Sequence, residues 1–491
     1  MNVKSAEIKV RFAPSPTGFL HVGGLRTALY NYLFAQKHEG KLVLRIEDTD
    51  QSRQVEGAVK NVIDALHWAG IEYDEGPELP GGSRGDAGPY MQSERLELYQ
   101  QYTQALLDND HAYYCFCSEE RLEKVRSQQK EMNRRTMYDK HCRKLSKQER
   151  LSRLETGMPY VIRMKIPEED GAVTFTDKVR DDVAIPYENL DDQILIKSDG
   201  FPTYHLANVI DDHLMGITHV IRGEEWLPST PKHILLYQYF GWDLPVFAHL
   251  PLLLNENRSK LSKRQGDVAV GNYRDKGYLP EALTNFVALL GWSPGDDQEI
   301  LSMSEMVRKF SLDRINKAGA VFNLEKLEWM NGLYIRETET ERLVELAEPF
   351  LENAGFDTSN RHKMTLIIDA VKDNLHFLAE LPELTEVFQP KLLKIDVEES
   401  PELVEMLEQE SSKKVFAALA AAFEDYETVT KEDFLSIMKS VQKETGVKGK
   451  ELWMPVRIAL TGEAHGPELP AVIEILGRDA CVQRFRDQLQ D

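Results

Sequence analysis

Apolar and polar residues alternate through Ile8, Lys9, Val10, Arg11 and Phe12, the period-two pattern of a strand with one buried face. Two prolines and three glycines between Ala13 and Gly24 then predict a loop. Leu25, Ala28, Leu29, Tyr32 and Leu33 recur at helical spacing, and Leu42, Leu44 and Ile46 alternate again before the acidic run Glu47-Asp48-Thr49-Asp50. Strand, crossover helix and strand over so short a span make a βαβ unit, the opening of a parallel nucleotide-binding sheet. The Gly- and Pro-dense stretch from Gly76 to Pro89 predicts a mobile surface loop. Residues from about 110 to 200 differ in composition and resemble an insertion. Strand character resumes at Ile194-Leu195-Ile196 and at Val220-Ile221. From about residue 320 the pattern becomes mainly helical, with Val415, Phe416, Leu419 and Phe423 on one stripe. No internal repeat or low-complexity tract interrupts it. The pattern predicts an interrupted α/β region in front and helical domains behind.

Composition narrows this picture. A chain of 491 residues predicts roughly three to five domains, and 42% hydrophobic with 29% charged residues excludes a wholly disordered, collagen-like or membrane-spanning protein. No uncharged apolar run approaches the ~18 residues that a membrane span needs. The N-terminal residues lack the apolar core of a signal peptide. Four cysteines are too few for a disulfide framework; with three of them clustered, they suit a reducing, cytoplasmic setting. The net charge of −22 argues at face value against a nucleic-acid partner, although such binding depends on local surface rather than on the sum.

Two motifs carry candidate chemistry. Arg11-Phe-Ala13-Pro-Ser15-Pro-Thr-Gly-Phe-Leu-His21-Val-Gly23-Gly24 is either a plain strand-to-helix turn or a cradle for ATP. In a cradle, the glycines admit phosphates to the backbone and the following helix N-terminus offers unpaired N–H groups. His21 stands where it could donate to developing charge on a phosphate. The second motif, Lys260-Leu-Ser-Lys263-Arg264, is either a solvated basic turn or a clamp for a triphosphate, lysine being a compact charge on a flexible stem.

His21-Val-Gly-Gly in a βαβ unit, with Lys260-Leu-Ser-Lys-Arg about 240 residues later, resembles the paired signatures of class I aminoacyl-tRNA synthetases. Several further stretches are similar to bacterial glutamyl-tRNA synthetases: Arg45-Ile-Glu-Asp-Thr-Asp50, Gly88-Pro-Tyr90 with Gln92-Ser93, Thr203-Tyr-His-Leu-Ala-Asn208, Arg222-Gly-Glu-Glu-Trp226 and Leu327-Glu-Trp-Met-Asn-Gly332. The likeness is specific up to about residue 335 and weaker beyond. It implies a Rossmann-type parallel-sheet catalytic domain with an α+β insertion, followed by mainly α-helical anticodon-binding domains. The expected divisions are a first catalytic half at 1–110, an inserted acceptor-end-binding domain at 111–195 and a second catalytic half at 196–255. A stem-contact domain at 256–335 and an anticodon-binding region at 336–491 would follow.

By that resemblance, Arg11, Ala13, Ser15, Glu47, Tyr204, Asn208 and Arg222 line a pocket for L-glutamate, with Glu47 toward the amino group. Arginine forks suit the two substrate carboxylates. His21, Gly23, Gly24, Glu225, Trp226 and Lys263 are the implied ATP contacts, although Trp226 taken alone would be a core residue. The implied reaction joins glutamate to ATP as glutamyl-adenylate and passes the acyl group to the terminal ribose of tRNA(Glu). His21, Lys260 and Lys263 would disperse charge on the leaving pyrophosphate, and Mg2+ would arrive with ATP. A monomer with no membrane attachment is expected.

Cys115-Phe-Cys117 and Cys142 resemble the Zn2+ site of some members. Those members place a histidine where Lys144 stands here, so Tyr138 or His141 would be the fourth ligand, or the site is degenerate. Four other readings stand beside the main one. They are an enzyme that also charges tRNA(Gln), a glutaminyl enzyme, a truncated paralogue acting on a tRNA base, and an inactive RNA-binding paralogue. The helical residues after 330 argue against the truncated form, and the Ala13–Thr17 and His21–Gly24 stretches against the glutaminyl one. Charge is also unevenly spread: residues 121–153 carry twelve Lys/Arg against four Asp/Glu, whereas 396–433 carry three Lys against twelve Asp/Glu. RNA contact is therefore expected on a few basic surfaces of an otherwise repelling protein.

Overall fold

The computed structural model describes residues 7–261, 269–389 and 400–490. The chain forms two compact units, one of Met1–Tyr273 with Leu283–Asn323 and one of Arg274–Ala282 with Leu324–Asp491.

In the first unit, strand β1 (Lys9–Phe12), helix α1 (Val22–Lys37) and strand β2 (Lys41–Leu44) form the expected βαβ unit, with Arg11 opposite Val43 in a parallel ladder. Strand His219–Gly223 lies beside β1, tied by the Thr218 N–H donating to the Lys9 carbonyl at 2.8 Å. It also pairs in parallel with Val246–Leu250. Such sheets carry their ligands at the carboxyl ends of the strands, and here those ends are Phe12, Leu44, Gly223 and Leu250.

Helix α1 buries more than one stripe. Leu25, Ala28, Leu29 and Leu33 are buried as expected, and Arg26, Tyr30 and Asn31 are buried as well. Their polar ends are spent on backbone: Tyr30 donates to the Ala288 carbonyl at 2.9 Å, and Asn31 to that of Ile221 at 3.1 Å. A helix packed on several sides can carry polar residues inward when each finds an acceptor.

The inserted region centres on an antiparallel sheet of Ala112–Cys115, Val161–Met164 and Ile194–Ile196. Two exposed helices, Glu119–Glu131 and Lys147–Glu155, bury no side chain and carry much of the basic stretch. The hairpin Ala172–Asp177/Asp181–Pro186 instead joins strand Val246–Leu250 through the Phe247–Asp177 pair. The Gly76–Pro89 stretch is not a free loop. Gly76–Pro77 pairs with Ser83–Arg84, and its base is anchored where Glu75 accepts from Lys9 at 2.6 Å and from Tyr90 at 2.9 Å. Gly85, at φ +99°, passes so close that a Cβ would sit 2.5 Å from Glu75 and Tyr90.

The second unit is helical. Val415, Phe416, Leu419 and Phe423 are fully buried on helix Glu410–Glu424, and Phe416 and Phe423 pack on Phe485 with ring centroids 6.1 and 5.7 Å away. Each such side chain contributes roughly 1.5–3 kcal/mol of burial. No helix among the described residues is long and apolar enough to cross a membrane.

Candidate functional site

The strand ends of the first unit enclose a cleft of about 520 Å³. Both sequence motifs reach it: Arg11, Ala13, Ser15, His21, Gly23 and Gly24 line it from one side, and Lys260 from the other. Glu47, Tyr204, Arg222, Glu225 and Trp226 also line it. Two expected residues are not in that lining. Asn208 is buried behind it, its amide 3.4 Å from His233 Nε2. Lys263 lies outside the described residues. Leu261 lines the cleft, and the backbone of Ala269 pairs with His21.

His21 is the N-cap of α1, and its Nδ1 accepts from the Gly24 N–H at 3.1 Å. A neutral imidazole that accepts at Nδ1 carries its proton on Nε2, which makes Nε2 the donor. Both glycines stand in tight quarters. A Cβ on Gly23 would lie 3.1 Å from the His21 ring, and one on Gly24 2.8 Å from Leu20 Cδ1. Close backbone approach at the positive end of a long helix is the geometry that holds phosphates.

The floor of the cleft is a buried charge network. Arg11 Nε donates to Asp212 at 3.1 Å, and Arg45 donates to Asp212 at 2.7 Å and to Glu47 at 3.1 Å. Behind it, Asp211 accepts from Arg95 at 2.7 Å, Gln92 at 2.9 Å and Tyr99 at 2.8 Å. Burial raises the Asp212 pKa, but Arg11 and Arg45 outweigh that and hold it below the usual carboxylate range. Glu47 goes the other way. Its burial outweighs Arg45 and Arg11 and lifts it to about 7.

Arg222 is held differently. It is 4% exposed, and it donates from Nε to His249 at 3.1 Å and from NH1 to the Tyr204 hydroxyl at 3.0 Å. Its NH2 meets Thr230 at 2.9 Å and His233 at 3.2 Å. Every one of these partners is an uncharged acceptor. Burial lowers His249 to about 4 and His233 well below the ordinary histidine value, so both are neutral rings at pH 7. Asp177 orients His249 through Nδ1 at 2.6 Å. Among the described residues no carboxylate lies within ion-pair distance of Arg222. Tyr204 accepts from Arg222, which leaves its own hydrogen to point elsewhere, and its ring lies 4.0 Å from that of Trp226. Trp226 is half-buried at the cleft wall, not a core residue, because it caps a cavity instead of filling one.

Sequence reasoning passed over Arg45, Thr230, His233, His249, Asp177, Asp211 and Asp212 as site residues. The readable signals were a lone histidine inside the apolar strand Val246–Leu250 and two adjacent aspartates on an otherwise apolar helix face.

In the insertion, Cys115, Cys117 and Cys142 bring their Sγ atoms within 4.8 Å of one another. The Tyr138 hydroxyl lies 3.3 Å from Cys115 Sγ and 3.4 Å from Cys117 Sγ, and Cys117 and Cys142 are 3.5 Å apart. Four donors around a tetrahedral zinc at ~2.0–2.3 Å stand roughly 3.3–3.8 Å from each other, so this donor set fits the ion. His141 is exposed and does not join the cluster, and Lys144 is exposed too.

Residues 7–329 match the family model for tRNA synthetases class I (E and Q), catalytic domain, and residues 342–489 that for an anticodon binding domain. The chain is 49% identical to the glutamate–tRNA ligase of Clostridioides difficile, over 97% of this chain and 98% of that one. It is 44% identical to the corresponding ligase of Geobacillus stearothermophilus, over 99% of both. A crystal structure of a glutamate tRNA ligase from Elizabethkingia meningosepticum, in complex with its amino acid, superposes with a TM-score of 0.89. It has 37% identity over 98% of this chain and 99% of that one.

Proposed function

Because the chain belongs to the class I glutamyl- and glutaminyl-tRNA synthetase family, we infer that it is a glutamate–tRNA ligase that consumes ATP. The observation that carries the site reading is the convergence of His21, Lys260, Glu47 and Arg222 on one cleft. Arg222, a buried cation with no anion of its own, selects the side-chain carboxylate of glutamate over the amide of glutamine, while Tyr204 adds its O–H to the same group. Glu47 takes the ammonium, and Arg11 and Ser15 face the α-carboxylate end. ATP lies along Gly23 and Gly24, with its adenosine toward Glu225 and Trp226 and its magnesium ion on the phosphates.

Activation is then largely a matter of placement. The α-carboxylate attacks the α-phosphorus, and pyrophosphate leaves. His21 Nε2–H and Lys260, with Lys263 from the adjoining segment, donate to the oxygens that gain charge. The terminal ribose hydroxyl of tRNA(Glu) attacks the adenylate carbonyl in the second step. Its acceptor end would meet the basic helices of the insertion, and its anticodon the second unit. Intact His21 and Lys260 oppose an inactive RNA-binding role. Lys263→Ala should reduce adenylate formation about 10²–10³-fold, the usual weight of one such donor, with tRNA affinity nearly unchanged. Pyrophosphate exchange with tRNA present measures the first and a binding titration the second, and undiminished exchange would release Lys263 from this role.

Cys115, Cys117, Cys142 and Tyr138 would hold a structural zinc ion, which would tie the first strand of the insertion to the segment around Cys142. Arg163, its guanidinium carbon 4.0 Å from the Tyr138 ring centroid, packs over that ring and holds it beside the thiols. Protein purified without chelator should contain about one equivalent of zinc. Tyr138→Phe should surrender it to a weaker chelator than the wild type does. Less than about a tenth of an equivalent in the wild type would remove the ion from this account.

A further inference from the structure

The shell behind Arg222 differs from those of Arg11, Arg45 and Arg95. Arg11, Arg45 and Arg95 each touch a carboxylate. Among the described residues Arg222 meets only Tyr204, Thr230, His233 and His249, although Asp177 stands one residue behind, on the far side of the His249 ring. The arrangement has a chemical logic. His249 donates Nδ1–H to Asp177, which leaves Nε2 as an acceptor for Arg222 Nε. His233 accepts at Nδ1 from Arg222, so its Nε2 bears hydrogen and points to His205 Nδ1 at 3.0 Å. The guanidinium is thus fixed on several sides by groups that satisfy its hydrogens without neutralising it.

We propose that Thr230, His233 and His249 are positioning and specificity-determining residues, a neutral acceptor shell that aims Arg222 and reserves its whole positive charge for the substrate's side-chain carboxylate. The proposal rests on the assignment of Arg222 as the anchor of that carboxylate. A carboxylate in the same place as Thr230 would hold the guanidinium equally well and spoil the selection, because an Arg already paired gains little from a second anion and the two anions repel.

An isosteric pair separates charge from packing. Thr230→Asn keeps a neutral acceptor of nearly the volume of Thr230→Asp, so the two variants differ in charge alone. In tRNA charging with glutamate and with glutamine, T230N should raise the glutamate KM by its packing cost alone. T230D should raise it about 100-fold further, the weight of one unit charge about 6 Å away at the effective dielectric of a protein site. The ATP KM and the rate with glutamine should hardly move, so discrimination between the two amino acids narrows. His233→Asn against His233→Asp repeats the comparison from another side of the guanidinium, should position 230 not tolerate change. Equal losses in the charged and neutral variants, with the glutamate-to-glutamine ratio unaltered, would overturn the proposal and leave these residues a packing role. An Arg222→Gln enzyme with an unchanged glutamate KM would overturn the anchor assignment itself.

Discussion

Arg222→Gln should lose about 10²–10⁴-fold in kcat/KM for glutamate, the 3–5 kcal/mol that follows when one partner of a buried ion pair is removed. The loss should be that large because the neighbouring arginines of the cleft floor are already engaged. Arg11 and Arg45 already share Asp212, and Arg45 also serves Glu47. Glutamine carries no charge to lose, so its much lower rate should change little and the ratio between the two amino acids should collapse. Arg222→Lys should be nearly as impaired despite its charge. An ammonium on a flexible stem cannot reach His249, Tyr204, Thr230 and His233 together, and each acceptor left without a donor in a buried site carries its own penalty. Initial charging rates with each amino acid, at saturating ATP and tRNA, measure all of this. Preserved discrimination in Arg222→Gln would move the specificity determinant elsewhere in the cleft.

What could be read in advance divides along a physical line. Local patterns carry local structure, so the βαβ opening and the stripe of Val415, Phe416, Leu419 and Phe423 are legible. The motif residues His21, Lys260 and Arg222 are legible because their chemistry is concentrated in short runs. Arg11 shows the limit. Its place in an alternating strand predicts a solvent-facing side chain, yet it is buried, because its partner Asp212 approaches from a helix 201 residues further along. No period in the sequence encodes that pairing. His249 is hidden for the same reason: a single polar residue in an apolar strand acquires meaning only once Asp177 and Arg222 stand on either side of its ring. Tyr138 is the intermediate case. The resemblance left both it and His141 open, and the fold places one hydroxyl beside two thiols and leaves the other residue exposed.

Glu47→Gln should make the protein more stable and a far worse enzyme. Burial lifts the Glu47 pKa from 4.5 to about 7, even with Arg45 and Arg11 nearby. The folded state therefore binds this proton more tightly than the unfolded state does. Stability from this group is complete below about pH 4.5 and falls as pH rises toward 7. Above that, the ionised carboxylate costs about 3 kcal/mol. Glutamine removes a charge that was expensive to bury, so the variant should unfold at a higher temperature than the wild type at pH 8, with the gap closing toward pH 5. Function runs in the opposite direction. Capturing the substrate ammonium needs the ionised form, so wild-type kcat/KM for glutamate should rise about tenfold per pH unit up to about 7 and then level. In Glu47→Gln that rise should vanish and kcat/KM should lie about 10²-fold or more lower, because the ammonium loses its counter-charge. Thermal unfolding at the two pH values, beside a pH–rate profile of both proteins, tests the two halves separately. A wild-type profile flat between pH 5.5 and 7.5 would show that substrate meets a carboxylate already ionised, and the stability gain of the glutamine variant should then disappear with it. The cost of burying this carboxylate, even beside Arg45, and its proposed affinity for an ammonium would then be one property of one buried group.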